Sequence, residues 1–412
     1  MSTKRAREST PSDPFGTEEL RRRVLEAWRA SPARFRADAN VEDDLALVGY
    51  RDRLVVELAQ NASDAAARAG HAGGLRLTLD GPRLLAANTG AALDAAGLES
   101  IAVARASAKR GDVALVGRFG VGFAAVLSVS DEPAIRSTSG AVRWSRAESL
   151  ATVSGLPELA EELAASGGHT AVLRLPMPAS GEPPAGYDTE IELPLRDDTA
   201  VDAVRAQLAD LDPTLLLSLT GLSEIVVSTG DFERRLRRED GEGDSVMLYD
   251  DDRLSRWVVV EASGALDPAL LVGQPAEARD RDRWSVRCAL PVDSAGTLAP
   301  LPDDVARVVR APTATDDACS LPLVVIGSYP LDAIRRRITP GPLTDAVSHE
   351  LARLLVDRIA SMPATTSLIT LVPRGLPSGE VDAVLQEAVR VELQETAWLP
   401  AASDTTARLR PS

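Results

Sequence analysis

The chain has 412 residues, 44% of them apolar, enough to build two or three domains with cores of their own. Its 61 acidic and 45 basic residues leave a net charge of −16, a balance repelled by phosphate backbones, so no DNA partner is expected. Cys288 and Cys319 are its two cysteines; they make no disulfide framework and are expected as buried thiols in a reducing compartment. The first residues hold no apolar signal-peptide core, and no run reaches the roughly 18 apolar residues of a membrane span. A cytoplasmic location with no membrane contact is the expectation.

Residues 1–15, rich in charge, Ser and Pro, are expected to be a disordered tail. Thr17 to Trp28 then reads as a helix with a Thr cap and acids in its first turn. The next periodic stretch places Leu54, Leu58, Ala62, Ala65 and Ala66 at three-and-four spacing, predicting a helix that Gly70 and Gly73-Gly74 stop. Glu57 and Asn61 fall at i and i+4 on that helix, hence on one face. A hydrolytic phosphate site needs such a pair: a carboxylate to take a proton from water, and one turn away a neutral oxygen ligand for Mg²⁺. An ordinary solvated helix face gives the same spacing, because charged and amide side chains are mostly exposed. Composition bears on the choice. The chain has only three asparagines, Asn40, Asn61 and Asn88, and two of them fall in this region. Of its 45 basic residues only Lys4 and Lys109 are lysine, and Lys109 stands shortly before a glycine loop, where a compact point charge suits a phosphate.

Gly74–Asp80 and Leu84–Ala87 predict a hairpin leading to Asn88-Thr89-Gly90. The glycine loop is Gly117-Arg118-Phe119-Gly120-Val121-Gly122-Phe123; it allows close backbone approach and runs into the helical stretch Phe123–Leu127, an anion site at a helix start. Gly120-Val-Gly122-Phe-Ala-Ala125 also matches a dinucleotide fingerprint, which should follow the first strand of its own unit and precede an acid by about twenty positions. Asp131 and Glu132 come too early for that, and a long stretch with its own helix precedes the loop. There is no G-x-x-x-x-G-K-[ST], so no P-loop.

Beyond the loop, Ala134–Thr138, Ala171–Leu175 and Thr189–Leu193 alternate as antiparallel strands do. Residues 16–238 are therefore read as one mixed, mostly antiparallel sheet covered by helices. Arg238–Asp244 is polar and glycine-bearing and is read as a domain boundary, with Arg234–Arg238 as a solvated helix end or hinge. Residues 239–362 carry strand-like Trp257–Glu261, Trp284–Leu290 and Leu323–Ile326 and a helix from Leu343 to Ile359, a second and smaller α/β domain. Residues 363–412 are expected to hold a strand and a helix without a clear stop, as in the front part of a longer protein.

Glu57-Leu-x-x-Asn61-Ala-x-Asp64-Ala and Gly117-Arg-Phe-Gly-Val-Gly-Phe123, in this order and separation, resemble the GHKL ATPase superfamily, above all its heat-shock-chaperone and sacsin branch. The resemblance covers roughly residues 16–235. It implies an α+β fold, a two-layer Bergerat-type sandwich, with ATP as ligand and Mg²⁺ as cofactor. By resemblance Glu57 activates the attacking water, Asn61 holds Mg²⁺, and Gly117, Arg118, Phe119, Gly120, Val121, Gly122 and Phe123 wrap the phosphates. Asp64 belongs to the same helix motif, Ser107-Ala-Lys109-Arg110 resembles the start of the ATP lid, and Thr189, in Tyr187-Asp-Thr189, falls near adenine. One departure stands out: the family's Asp-x-Gly-x-Gly is here Asn88-Thr-Gly90-Ala-Ala92, without the carboxylate that accepts from the adenine amine. Exchanging a charged for a neutral hydrogen bond weakens adenine binding by roughly 1–1.5 kcal/mol, about tenfold. An amide can also present its NH₂, so Asn88 is expected to relax base choice toward GTP. The resemblance further implies a following transducer domain, for which Arg335, Arg336 and Arg337 are the candidate contacts to the γ-phosphate, and a protein client or partner, with a homodimer as one arrangement. The expected activity is slow Mg²⁺-dependent ATP hydrolysis driving lid closure; the alternative is a nucleotide sensor that regulates a partner without turnover. A kinase is disfavoured, since none of His71, His169 and His349 sits in an evident phospho-acceptor helix.

Overall fold

The computed structural model describes residues 13–44, 52–102, 122–273, 279, 282–332, 334–363, 365–400 and 406–407. It divides into two compact units, one holding the chain up to Ala209 with Val226–Glu233, the other Asp210–Ile225 and the chain from Arg234 onward. Both are mixed α/β units built on mostly antiparallel sheet.

In the first unit, helix α1 (Thr17–Ala30) begins where the sequence places it, but its cap differs from expectation. Gly16 is the N-cap, and the acceptor is Asp13, whose carboxylate takes the N–H groups of Thr17 (2.8 Å) and Glu18 (3.1 Å). Thr17 donates its own hydroxyl to the same carboxylate. A charged acceptor facing the positive helix end serves two free N–H groups at once, which one hydroxyl cannot. Helix α2 (Pro32–Asp44) returns along α1, with Trp28 and Phe35 stacked edge-on at 5.1 Å at the centre of a small core.

Helix α3 (Leu54–Ala69) ends at Gly70 in the left-handed conformation, as the glycine stop predicts. Strands β1 (Gly73–Asp80) and β2 (Arg83–Asn88) form the expected hairpin around Gly81-Pro82, with Leu75, Leu77 and Leu79 turned inward. After α4 (Ala95–Ala102) the described chain resumes with a 3₁₀ helix, Gly122–Ser128. Then follow β3 (Ala134–Ser137), β4 (Gly140–Arg143), α5 (Arg146–Ser154), α6 (Ala160–Ala165), β5 (Met177–Ala179), β6 (Thr189–Pro194) and α7 (Asp198–Ala209). The strand order is β1-β2-β6-β3-β4-β5, antiparallel throughout.

Ala171–Leu175 is not a strand. Val172–Arg174 is a 3₁₀ turn, and all five residues are buried. Its alternation misleads because Arg174 is a core residue, paired with Asp38 at 3.1 Å and donating to the Ala102 carbonyl at 2.8 Å. The N–H groups of Val172 and Leu173 go to the Glu42 carboxylate of α2 instead of a strand neighbour.

The second unit contains α8 (Leu215–Ser218) and a sheet of β8 (Glu233–Asp240), β9 (Ser245–Asp250), β10 (Arg253–Ala265), β11 (Arg283–Val292), β12 (Val308–Arg310), β13 (Ala314–Ala318) and β14 (Val324–Gly327); β7 (Leu222–Ser228) straddles the division between units. Of its strand pairs, β12–β14 is parallel. Helices α9 (Pro342–Ser361) and α10 (Glu380–Glu395) pack together, α9 lying on β10 and β11. Cys288 and Cys319 are free thiols in this core. Arg234–Arg238 is not a helix end: it lies in β8, where Arg234 pairs with Asp250 at 2.7 Å and Arg237 covers the Tyr249 ring at 4.5 Å, and the division between the units falls just before it. Among the described residues no helix is long and apolar enough to cross a membrane.

Candidate functional site

Helix α3 carries an unusual load for a core helix, since Glu57, Gln60, Ser63 and Asp64 are buried beside its apolar residues. It is held at its start by α7, whose Gln207 side chain accepts from the Val55 N–H at 3.2 Å. Glu57, Asn61 and Asp64 stand at i, i+4 and i+7 and share one face. Glu57 is 7% exposed, which removes the solvated-face reading, and Asn61 is half-buried. Burial pushes the Asp64 carboxyl up to about 6, with the Glu57 charge adding to the rise and Arg68 opposing it.

Two glycines press on this helix. A Cβ on Gly122, at the head of the 3₁₀ helix, would lie 2.3 Å from Glu57 Oε2. The backbone therefore lies against the carboxylate, which any side chain at this position would push aside. Phe123 next to it is buried, its ring 5.4 Å from that of Trp144. The second glycine is Gly90, with φ 139°, where a Cβ would lie 2.6 Å from Ala65 C and Ala66 N in the backbone of α3. The Ala91 N–H donates to Ala65 O at 2.9 Å. Residues 57 and 65 are about 12 Å apart along the helix axis, so the two touches hold α3 near its start and near its end.

At the Gly90 end the sheet supplies the side chains. Asn88, the last residue of β2, pairs in register with Thr189 of β6, which in turn faces Ser137 of β3. Asn88 Nδ2 donates to Thr89 O at 3.3 Å. Ser137 Oγ donates to Asp188 O at 3.0 Å and lies 2.9 Å from Thr189 Oγ1. Its one hydrogen being used there, Thr189 is the donor of that second bond. The Asp188 carboxylate accepts from Gly90 N at 2.9 Å. Asp188 and Ser137 were not among the residues singled out from the sequence; the only signal was an acid directly before Thr189, unexplained until its partner 98 positions away is seen.

Lys109, Gly117, Arg118, Phe119, Gly120 and Val121 lie outside the described residues. Arg336 pairs with Asp316 at 2.9 Å, and the Arg336 and Arg337 N–H groups donate to Asp332, all in the second unit. Among the described residues no group of three His, Cys, Asp or Glu could hold a metal ion.

No protein-family model matches the chain, and no curated protein matches it.

Proposed function

We propose that the first unit binds ATP with Mg²⁺ in a Bergerat-type site of the GHKL kind and hydrolyses it slowly, in a chaperone-like or sacsin-like protein that acts on a protein client. The observation that carries this reading is the buried Glu57 carboxylate touched by the Gly122 backbone, with Asn61 one turn along on the same face. In this reading Glu57 takes a proton from the attacking water, at a carboxylate whose place Gly122 sets by contact. Asn61 holds the metal, which offsets charge on the phosphates. Gly122 and Phe123 are the described part of the phosphate loop, completed by Gly117–Val121 and Lys109. Asp64, Asn88, Gly90 and Thr189 serve the base end, where Thr189, having given its hydrogen to Ser137, offers an acceptor. An acceptor there suits the amine of adenine; the Asn88 NH₂ suits the carbonyl of guanine, so ATP and GTP both enter the test.

The deciding experiment is steady-state phosphate release with Mg-ATP for wild type and Glu57→Ala, with calorimetric binding of ATP to both and GTP as competitor. Turnover lost in the variant while binding persists supports hydrolysis with Glu57 as base. Binding without turnover in either protein supports the sensor reading. No binding to either refutes a nucleotide site, and GTP at least a hundredfold weaker than ATP refutes relaxed base choice.

A further inference from the structure

The turn Thr89–Gly90–Ala91 is tied down on three sides. Thr89 exchanges bonds with Gly74, its N–H donating to Gly74 O at 3.0 Å and its hydroxyl accepting from Gly74 N at 2.9 Å. Ala91 N donates to Ala65 O in α3 at 2.9 Å. The third tie is Asp188 Oδ2, which takes the Gly90 N–H at 2.9 Å. Asp188 is itself fixed through its backbone: its N–H donates to Asn88 O at 3.0 Å, and its carbonyl accepts from Thr138 N and Ser137 Oγ at 3.0 Å each. Its carboxylate thus projects from a rigid ladder end onto a glycine that lies against the α3 backbone with no room for a Cβ.

The geometry points to Asp188 as a positioning residue of the site: its carboxylate holds Gly90 down on Ala65–Ala66 and so sets the rotation of the α3 face that carries Glu57, Asn61 and Asp64. The hydrogen bond is charge-assisted and so among the stronger kinds. Gly90 has no side chain to anchor it, and its φ of 139° is a conformation only glycine visits readily, so without Asp188 its peptide is held only through the ties of Thr89 and Ala91 and moves more freely over the helix. The part of this inference that concerns catalysis rests on the ATPase reading; the part that concerns the turn does not.

The test compares Asp188→Ala and Asp188→Asn with wild type in the full chain. Amide hydrogen exchange, read without nucleotide, is expected to rise about tenfold or more at Gly90 and Ala91 in Asp188→Ala, leaving the β10–β11 ladder unchanged. Asp188→Asn keeps an oxygen that accepts the same N–H and is expected near wild type. With Mg-ATP, kcat is expected to fall about tenfold in Asp188→Ala and to return in Asp188→Asn. Unchanged exchange at Gly90 in Asp188→Ala overturns the inference, as does an asparagine variant as defective as the alanine one. Should wild type neither bind nor hydrolyse ATP, the ATPase reading falls by itself, and the exchange data alone decide whether Asp188 holds the turn.

Discussion

Substituting Gly122 by Ala places a methyl carbon where the backbone now touches Glu57. The added Cβ would stand 2.3 Å from Oε2 and 3.4 Å from Cδ of that carboxylate. Ordinary contact begins near 3.4 Å, so the oxygen must retreat by roughly 1 Å. The obstacle is the far end of a flexible side chain, and the cost to folding is small, under about 1 kcal/mol. The cost to chemistry is not, because a misplacement of about 1 Å lowers rates on the order of 10²-fold. A hundredfold loss corresponds to about 2.7 kcal/mol of barrier, within the 10²–10⁴-fold that a general base contributes. Phosphate release by Gly122→Ala is therefore expected near 1% of wild type, roughly, with a urea midpoint close to the parent's. Glu57→Ala sets the floor. A variant that hydrolyses ATP at the wild-type rate while folding normally refutes the assignment of Glu57 as the base that Gly122 positions.

Gly90→Ala meets helix backbone at 2.6 Å and a φ of 139°, so strain and overpacking together should destabilise by about 3–5 kcal/mol; a urea midpoint within error of wild type would refute the close approach. Asp64 has a folded pKa raised from 3.8 to about 6. The stability it contributes is fully present below about pH 4 and is lost as pH rises through about 6. Relative to wild type, Asp64→Asn should therefore gain on the order of 2–3 kcal/mol between pH 4 and 7 in urea titrations; a pH-independent difference would refute the buried-acid assignment. Arg310, 1% exposed in β12, donates from Nη2 to Asp212 Oδ2 and Thr214 Oγ1 at 2.7 Å each. Asp212→Ala strands that cation and should cost about 3 kcal/mol, most of it recovered when Arg310→Met is added; a double variant no better than the single one would show that the pair itself stabilises the unit.

Elements whose signals are local were legible in the sequence. The β1–β2 hairpin announced itself through the stretches Gly74–Asp80 and Leu84–Ala87, and α3 through its apolar spacing and Gly70. What failed were patterns decided by distant partners. Thr17 lost the capping role to Asp13, and Arg174 broke the apparent alternation of Ala171–Leu175 because Asp38 and Ala102 take it into the core. In the candidate site, Glu57, Asn61 and Asp64 could be placed on one face from spacing alone. The burial of Glu57 and Asp64 could not, since it depends on parts of the chain that arrive from elsewhere, Gly122 against Glu57 among them. Nor could Asp188, whose side-chain partner among the described residues is a backbone N–H 98 positions away.

The burial of these acids is itself an argument about purpose. A helix whose only task is to close a core is most stable with apolar residues on its inner face, since taking a carboxylate out of water costs several kcal/mol unless it is paired, hydrogen-bonded or neutralised. Here Asp64 bears that cost visibly, in a pKa lifted to about 6, and part of the lift comes from the Glu57 charge. A carboxyl lifted to about 6 beside a second carboxylate on a buried helix face is a poor solution for packing and a useful one for handling protons near neutral pH. The glycines sharpen the point. Residues 90 and 122 leave no space beside the helix that a methyl group could enter freely, and what lies there is backbone, against the Glu57 carboxylate at one place and the Ala65–Ala66 backbone at the other. An apolar core would fill such places with side chains; on the proposed nucleotide reading, backbone at the acid and a turn tied to Asp188 at the other end are what the site uses.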